Sequence, residues 1–374
     1  MRPGDSVLDM FLELAAISSP PGRERGVADR VHGFLHALGL ETDEDDAGAA
    51  IGSEIGNIYC RLPATAEGVP IFLNAHLDTV PPTDAIEPTV DLDGLITNSR
   101  AAILGADNKA AVVVMLAAVR DLLRERRPHA GVELVFTPME EVGLRGAKHF
   151  DVSRLQAAYG YCYDHAAPIG QVVLAAPSQR SMTLTFRGRP AHSGMVPEQG
   201  RSAILAASRA IAAMPLGRID SETTSNVGLI EGGVAGNIVP PICVVRAEAR
   251  SRRARRLADT VQAMLDAAAA AADETGCELE AAVTSEYETY RFTGEEPVVK
   301  LAVAALEASG YTPEFMESGG GADANVFNAA GMPCLNLCYG AIDIHTDDER
   351  ITVADLEGMT VFTARLMDLA LTPA

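Results

Sequence analysis

The sequence contains no uninterrupted apolar run of about 20 residues, the length that spans a bilayer, because charged residues break its alanine-rich stretches. Its first turns carry Asp5, Asp9 and Glu13 within the apolar pattern, so they lack the continuous apolar segment of a signal peptide. Positive charge is also scarce: 30 lysines and arginines stand against 51 aspartates and glutamates, for a formal net charge of -21. This charge would repel nucleic acid and anionic membranes alike. We therefore expect a cytoplasmic protein that acts on a small or neutral partner, with no nucleic-acid or membrane partner.

Closely spaced cysteines are absent as well. The six cysteines form no CxxC pair and no dense framework, which argues against a disulfide scaffold or a cysteine metal site. Cys334 and Cys338 are the closest two, and four residues apart in a strand they need not meet. We predict that all six are free thiols in the core. The glycine-rich stretch SGGGADAN is no phosphate loop, because it lacks the GK[ST] ending.

The chain is long for a single core, since 374 residues at about 150 per domain suggest two domains. Before about residue 180 and after about residue 290, apolar strands alternate with long helices, which is typical of an α/β layer with a buried sheet. Between these positions the order is strand, helix, strand, strand, helix, strand, which predicts a small two-layer α+β domain. We therefore predict a discontinuous first domain, 1–179 with 291–374, that carries an inserted second domain, 180–290.

The stretch NAHLDTVPP follows the apolar run IFL and places His76 and Asp78 two residues apart. Because successive strand side chains alternate between faces, both point the same way at the carboxyl end of the predicted strand. Ligand crevices in open α/β sheets lie outside such strand ends. The two residues are therefore either a hydrogen-bonded structural pair or part of a binding site.

Other predicted strands also end in acidic residues or histidine. Glu140 and Glu141 close VELVFTPMEE, Asp164 closes an apolar strand in YGYCYDH, and His345 follows a late apolar strand. Asp107, in LGADNKA, begins a long helix, and an N-cap is its alternative role. A solvated loop is the alternative for the adjacent glutamates, which would need a cation if they were buried together. Nitrogen and carboxylate ligands suit zinc, and also cobalt or manganese.

Six ordered motifs, HLDTVPP, LGADNKA, PMEEVGLRGA, YCYDH, RPAHSG and AIDIHT, together resemble the M20 di-zinc metallopeptidases, and most closely their peptidase T-like branch. The resemblance covers essentially the whole chain. It implies an α/β fold: a three-layer αβα catalytic domain like that of the zinc exopeptidases, with an inserted two-layer α+β (βαββαβ) lid or dimerisation domain. It also implies two zinc ions per subunit, with cobalt or manganese as substitutes.

The resemblance further implies a role for each matching residue of the metal centre. The implied ligands are His76 and Asp164 for one zinc ion, Glu141 and His345 for the other, and Asp107 bridging both. Asp78 would hold the His76 ring in the orientation for metal binding. Glu140 would be the general base, and the peptide bond between Asp107 and Asn108 would be cis.

The inserted domain carries further matching residues. His192, in RPAHSG, would stabilise the oxyanion, often from a neighbouring subunit in relatives; without the resemblance it would be an ordinary surface histidine. Asn237 and Arg250 match positions that face the substrate, and Arg250 would either pair with a substrate carboxylate or anchor its strand. Gly320 would line the substrate cleft, unless the stretch 318–325 is a plain turn into a helix. A homodimer through the inserted domain is also expected.

The resemblance implies a metal-dependent exopeptidase that hydrolyses short peptides with a water activated by two bridging zinc ions. Aspartate at position 164, as in the family's aminopeptidases and carboxypeptidases, favours a peptide substrate, and we expect an aminopeptidase acting on tripeptide-like substrates. A carboxypeptidase or an N-acyl-amino-acid amidohydrolase is the alternative. A non-catalytic peptide-binding protein is disfavoured, because Glu140 and all five ligands are present. Ala110 and Ala111 stand where relatives commonly have a glycine, which leaves the tripeptide preference open.

Overall fold

The computed structural model describes residues 1–371, and the last three residues of the predicted first domain, 372–374, lie outside the described residues. Helices and strands alternate along the chain. The helices are α1 (Val7–Ala15), α2 (Arg25–Ala37), α3 (Ala47–Ile51), α4 (Ala106–Arg124), α5 (Arg145–His149), α6 (Ala203–Ala213), α7 (Ala254–Thr275), α8 (Pro297–Ala308), α9 (Asp323–Ala329) and α10 (Val353–Leu369). The strands are β1 (Thr42–Glu44), β2 (Ile58–Leu62), β3 (Ile71–His76), β4 (Pro88–Val90), β5 (Leu95–Asn98), β6 (Val132–Thr137), β7 (Tyr159–His165), β8 (Gln171–Ala176), β9 (Ser178–Arg187), β10 (Gly217–Asp220), β11 (Thr223–Gly232), β12 (Ile242–Ser251), β13 (Glu278–Tyr287), β14 (Tyr290–Arg291), β15 (Glu314–Glu317), β16 (Cys334–Cys338) and β17 (Arg350–Thr352).

The chain divides into two compact units. The first unit comprises Met1–Ala175, Arg291–Ser318 and the described residues from Ala322 onward. The second unit comprises Ala176–Tyr290 together with Gly319–Gly321. Each unit has its own cluster of buried apolar side chains.

The first unit is built on a nine-stranded sheet in the order β1-β2-β6-β3-β7-β16-β8-β14, with β15 paired to β8. Strand β3 runs parallel to both of its neighbours, β6 and β7, and β16 runs parallel to β7. Because parallel strands end at the same edge of a sheet, the carboxyl ends of these four strands lie side by side. This edge is where the sequence places its acidic residues and histidines.

Side chains on both faces of this sheet are covered. Strand β3 is buried at every position, as expected for a parallel strand between two helical layers. Leu73 belongs to the main core, together with residues of α1, α4 and α10. On the opposite face Phe72 packs against Phe327 of α9, with the ring centroids 4.9 Å apart. The first unit therefore has three layers, with helices on both faces of the sheet.

The second unit has two layers. Its five strands form an antiparallel sheet in the order β10-β11-β12-β9-β13, and helices α6 and α7 pack on one face of it. Alternation along β9 shows why the sheet has one buried face: Met182, Leu184 and Phe186 are buried against the helices, whereas Thr183 and Arg187 are exposed.

The cysteines agree with the expectation from composition. All six cysteines are free and buried, as predicted. Among residues 1–371, no helix combines the length and the apolar character needed to cross a membrane.

Candidate metal centre

The acidic residues and histidines predicted for the metal centre gather at the carboxyl edge of the first unit's sheet. His76 is the last residue of β3, Asp164 lies at the end of β7, and Glu140 follows β6. His345 follows β16, and Asp107 lies in the first turn of α4. The parallel arrangement of these strands is the reason that residues so distant in the sequence meet.

His76 is almost completely buried, with 2% of its surface exposed. Its Nδ1 lies 2.9 Å from the backbone carbonyl oxygen of Asp78. When Nδ1 donates its proton to this carbonyl, the lone pair of Nε2 is left facing the carboxylates. Nε2 lies 3.2 Å from Asp107 Oδ1 and 3.4 Å from Asp164 Oδ1. The ring thus directs Nε2, a candidate metal ligand, towards the same space as two carboxylates.

Asp107 lies between two groups of candidate ligands. Its Oδ1 faces His76, and its Oδ2 lies 3.3 Å from His345 Nε2. The same Nε2 lies 2.9 Å from Glu141 Oε1. The peptide bond from Asp107 to Asn108 is cis, as predicted. The Asp107 carboxylate faces the two histidines, which is not the contact expected of a helix cap.

Two groups of three side chains place candidate ligand atoms within 4.8 Å of one another. One group is His76, Asp107 and Glu141, and the other is His76, Glu140 and Asp164. Glu140 is only 9% exposed and the Glu141 side chain 8%. The alternative of a solvated loop for these adjacent glutamates is therefore wrong.

The charges in this cluster oppose one another strongly. Burial, followed by the charge of Asp164, raises the pKa of Glu140 well above its usual value. Burial likewise raises the pKa of Asp164 to about 7. Burial also opposes ionisation of Asp107, but the imidazole groups of His345 and His76 beside it outweigh burial and lower the pKa of Asp107. A divalent cation at this edge would relieve the repulsion by taking the place of protons.

The carboxylate of Asp78 has a different principal role from the one expected. Its Oδ1 accepts a hydrogen bond from the backbone N–H of Glu140 at 2.9 Å, and its Oδ2 accepts one from the N–H of Glu141 at 3.1 Å. Oδ1 lies farther from His76 Nδ1, at 3.5 Å. Asp78 therefore orients the His76 ring mainly through its carbonyl oxygen, and its carboxylate holds the two glutamates in place.

Two buried acids that sequence analysis missed support the strands behind the centre. Glu24 is fully buried and accepts a hydrogen bond from the N–H of Met139 at 3.2 Å. Asp323 is 1% exposed and accepts hydrogen bonds from Asn74 of β3 and Thr137 of β6. An acid within the glycine-rich SGGGADAN was a signal for Asp323, whereas no local pattern marks Glu24.

The second unit brings His192 and Asn237 together. The backbone N–H of Ser193 donates to the carbonyl oxygen of Asn237 at 3.0 Å, and His192 forms a β-bridge with Ile238. Both side chains are exposed. The His192 ring accepts a hydrogen bond at Nδ1 from the N–H of Gly194 at 3.2 Å.

Arg250 is not brought to the same place. It lies eight positions along β12 from Ile242, which is roughly 26 Å at about 3.3 Å per residue, whereas Asn237 precedes the start of that strand. Its guanidinium makes a two-point ion pair with Glu248: Nε lies 3.0 Å from Oε1, and Nη2 lies 3.1 Å from Oε2. Within its own unit, Arg250 therefore makes the contacts expected if it anchors its strand.

Gly320 lies in the bend Gly319–Gly321, which groups with the second unit. A Cβ added at Gly321 would lie 2.3 Å from the Tyr287 ring, so glycine at this position allows close packing within the protein itself. The bend leads into α9, as the alternative of a turn into a helix describes. The predicted role of Gly320 in lining a substrate cleft stays a prediction.

Comparison with known proteins places the chain in a family. The sequence profile of peptidase family M20/M25/M40 matches residues 72–369, so the chain belongs to this family. It is a metallopeptidase, and therefore a hydrolase that cleaves peptide bonds with the help of metal ions. The fold class and the family predicted from the sequence are both confirmed.

Solved structures and a curated relative identify the branch. The chain is similar to the aminopeptidase PepT of Bacillus cereus, with 39% identity, a TM-score of 0.87 and coverage of 97% of this chain and 98% of that one. It is similar to a tripeptidase of Staphylococcus aureus, with 34% identity, a TM-score of 0.92 and coverage of 98% of each chain. Peptidase T of Escherichia fergusonii is 27% identical over an alignment of 412 positions, which covers 98% of each sequence. These likenesses confirm the peptidase T-like branch.

Replacing Asp78 by asparagine tests how the two glutamates are held. Asparagine keeps only one of the two oxygen atoms, so one N–H retains its acceptor and the NH₂ group would face the other donor. We expect Asp78→Asn to weaken zinc affinity or peptide turnover by about 10–100-fold. Zinc titration and initial rates measure this.

Asp45→Asn is the matched control for this substitution. Asp45 Oδ1 accepts from two backbone N–H groups, those of Ala47 at 3.0 Å and Asn57 at 2.7 Å, and its Oδ2 accepts from Asn57 Nδ2 at 2.8 Å, so the asparagine variant again turns an NH₂ group towards a donor. Wild-type zinc affinity and turnover in Asp78→Asn would show that the carboxylate does not position the centre.

Proposed function

We propose that the protein is an aminopeptidase that removes the N-terminal residue from tripeptides and similar short peptides, using two zinc ions. The observation that carries this proposal is the position of Asp107, whose two carboxylate oxygens face two different histidines. One carboxylate placed in this way suits two neighbouring cations. The similarity to an aminopeptidase and to a tripeptidase supports the substrate class.

The residues present fit a pair of divalent cations. Among the described residues, the buried Asp107 Oδ1 accepts no well-directed hydrogen bond, although His76 Nε2 lies 3.2 Å away, so this oxygen is available to a cation. The donors are imidazole nitrogens and carboxylate oxygens, which suit zinc and also cobalt or manganese. The proposed ligands are His76 and Asp164 for one ion, Glu141 and His345 for the other, and Asp107 for both.

The chemistry that bound zinc ions supply is activation of water and polarisation of a carbonyl group. Glu140 offers a carboxylate oxygen within 4.8 Å of candidate ligand atoms on His76 and Asp164. We assign it the general base that takes a proton from the attacking water and delivers it to the leaving amine. Asp78 keeps this base in position through the Glu140 N–H, and the Asp78 carbonyl keeps the His76 ring in its ligand tautomer.

The proposed substrate contacts in the second unit are His192, Asn237, Arg250 and Gly320. His192 would stabilise the developing oxyanion, and Asn237 lies beside it. A carboxypeptidase or an N-acyl-amino-acid amidohydrolase, in which Arg250 grips a free carboxylate, is the second candidate. It is less favoured, because Glu248 already engages two nitrogens of this guanidinium. A cytoplasmic location stays a prediction.

The function is tested with a panel of tripeptides whose ends are free, N-blocked or C-blocked. We expect zinc-loaded protein to cleave the free and C-blocked peptides and to leave the N-blocked peptides intact, because an aminopeptidase requires the free amine. Chromatography of the products identifies the bond that is cleaved. Loss of activity on blocking the C-terminus alone would contradict the aminopeptidase assignment and favour the carboxypeptidase.

The general base is tested by comparing two neighbouring glutamates. Glu140→Gln is expected to keep both zinc ions and to lose about 10²–10⁴-fold in kcat, because the amide cannot take a proton. Glu141→Gln is expected to lose zinc as well, because it removes a proposed ligand. Metal analysis by mass spectrometry and initial rates separate the two effects. Unchanged turnover in Glu140→Gln would contradict the assignment.

We also propose a homodimer formed through the second unit. Along β11, only Thr223–Ser225 pair with β10, and β11 then continues with two exposed apolar residues, Leu229 and Ile230, which are 56% and 50% exposed. Such a strand edge is suited to pairing with another copy.

Analytical ultracentrifugation measures the oligomeric state directly. We expect a dimer for the wild-type protein and a shift towards monomer when Leu229 and Ile230 are both replaced by lysine. The same double replacement at Leu92 and Val90, which are exposed in the first unit, should leave the dimer intact. A monomeric wild-type protein would contradict the proposal.

A further inference from the structure

The carboxylate of Glu349 is buried beside the backbone that presents Asp107. Glu349 is 2% exposed. Its Oε1 accepts a hydrogen bond from the N–H of Asp107, and its Oε2 accepts one from the N–H of Gly105, both at 2.8 Å. One side chain therefore holds two backbone groups of the same turn.

This turn has an unusual need for an acceptor. Gly105 has a φ of +76°, and Asp107 and Asn108 depart from helical backbone angles at the start of α4. N–H groups at the first turn of a helix have no partners in the helix itself, and a buried N–H without an acceptor is costly. Glu349 supplies acceptors for two such groups, and so it fixes the backbone position from which the Asp107 side chain projects.

Glu349 also belongs to the loop that carries His345. Ile342 and Arg350 pair in both directions across the base of this loop, with N–H to oxygen distances of 3.0 and 3.1 Å. Within the loop, the N–H of Glu349 donates to the carbonyl oxygen of Thr346 at 3.2 Å. His345 and Glu349 are thus four residues apart on one closed loop. The position of one is tied to the position of the other.

We propose that Glu349 is a positioning residue that sets the distance between Asp107 and His345, and thereby forms the cation position shared by Asp107, Glu141 and His345. This inference rests on the proposed two-zinc function. The three side chains already meet at this position: His345 Nε2 lies 3.3 Å from Asp107 Oδ2 and 2.9 Å from Glu141 Oε1. Two of the three come from segments that Glu349 joins. By contrast, the other proposed cation position, formed by His76, Asp164 and Asp107, contains a single residue from those segments, Asp107.

The inference is tested by titrating Glu349→Gln with zinc against a chromophoric chelator. Glutamine keeps only one of the two oxygen atoms, so one N–H retains its acceptor and the NH₂ group would face the other N–H. We expect one zinc equivalent to bind about 10–100-fold more weakly and the other to change less, as when an outer partner of a metal ligand is removed. Hydrogen exchange at residues 104–107 should become faster, which local loss of the two hydrogen bonds would cause.

Glu133→Gln is the matched control. Glu133 is also 2% exposed, and its carboxylate also accepts from two backbone N–H groups, those of Gln156 and Ala157. Neither of these N–H groups belongs to a proposed metal ligand, so both zinc equivalents should bind to Glu133→Gln as they do to the wild type. Equal weakening in Glu133→Gln and Glu349→Gln would mean a general loss of stability, and would overturn the inference.

The outcomes separate this inference from the function on which it rests. Wild-type protein that binds fewer than two zinc ions would overturn the two-zinc function and the inference together. Wild-type protein that binds two, with folded Glu349→Gln equal to it in both affinities, would overturn the inference alone. If Glu349→Gln does not fold, Glu349→Asp is titrated instead. It keeps the charge but is one methylene shorter, and an unchanged affinity for both equivalents would again overturn the inference.

Discussion

Burial of several carboxylates at one edge of a sheet is the constraint on which the rest of the first unit depends. Asp107, Glu140 and Asp164 each have less than a tenth of their side chain exposed. Buried charges of one sign are costly unless hydrogen bonds or opposite charges compensate for them. Two histidines of the protein provide part of this compensation, and the proposed pair of cations would provide the rest. The parallel strands make the arrangement feasible, since they end side by side with helices covering both faces of the sheet.

Local sequence patterns were enough to predict the main parts of this arrangement. A period of two places His76 and Asp78 on one face, and apolar runs that end in acids locate Glu140 and Asp164 at the ends of strands. The fold class and the family followed from six ordered motifs. The pairing of Arg250 with Glu248 was also open to prediction, because residues two apart on a strand share a face.

Contacts between distant segments could not be predicted from local pattern. The Asp78 carboxylate binds N–H groups 62 and 63 residues away, and Glu349 binds an N–H 242 residues away. Nothing in the neighbourhood of Glu24 or Glu349 distinguishes them from solvated acids, and only the folded chain shows that they are buried. Sequence analysis therefore found residues that face the proposed cations more readily than residues that hold those side chains in position.

Backbone conformation shows how closely these two sets of residues are connected. Among the described residues, the non-glycine residues with positive φ are Arg126, Met139, Leu144, Asp343 and His345. All but the first lie within three residues of a proposed ligand or are one. Such conformations cost about 1–3 kcal/mol each and persist where surrounding contacts hold them. Glu24 and Asp78 provide such contacts at Met139 and the two glutamates after it, and the closed loop of Glu349 provides them at His345. Glu24, Asp78 and Glu349, which accept hydrogen bonds from backbone N–H groups, thus stabilise strained loops. Those loops in turn orient the proposed metal ligands.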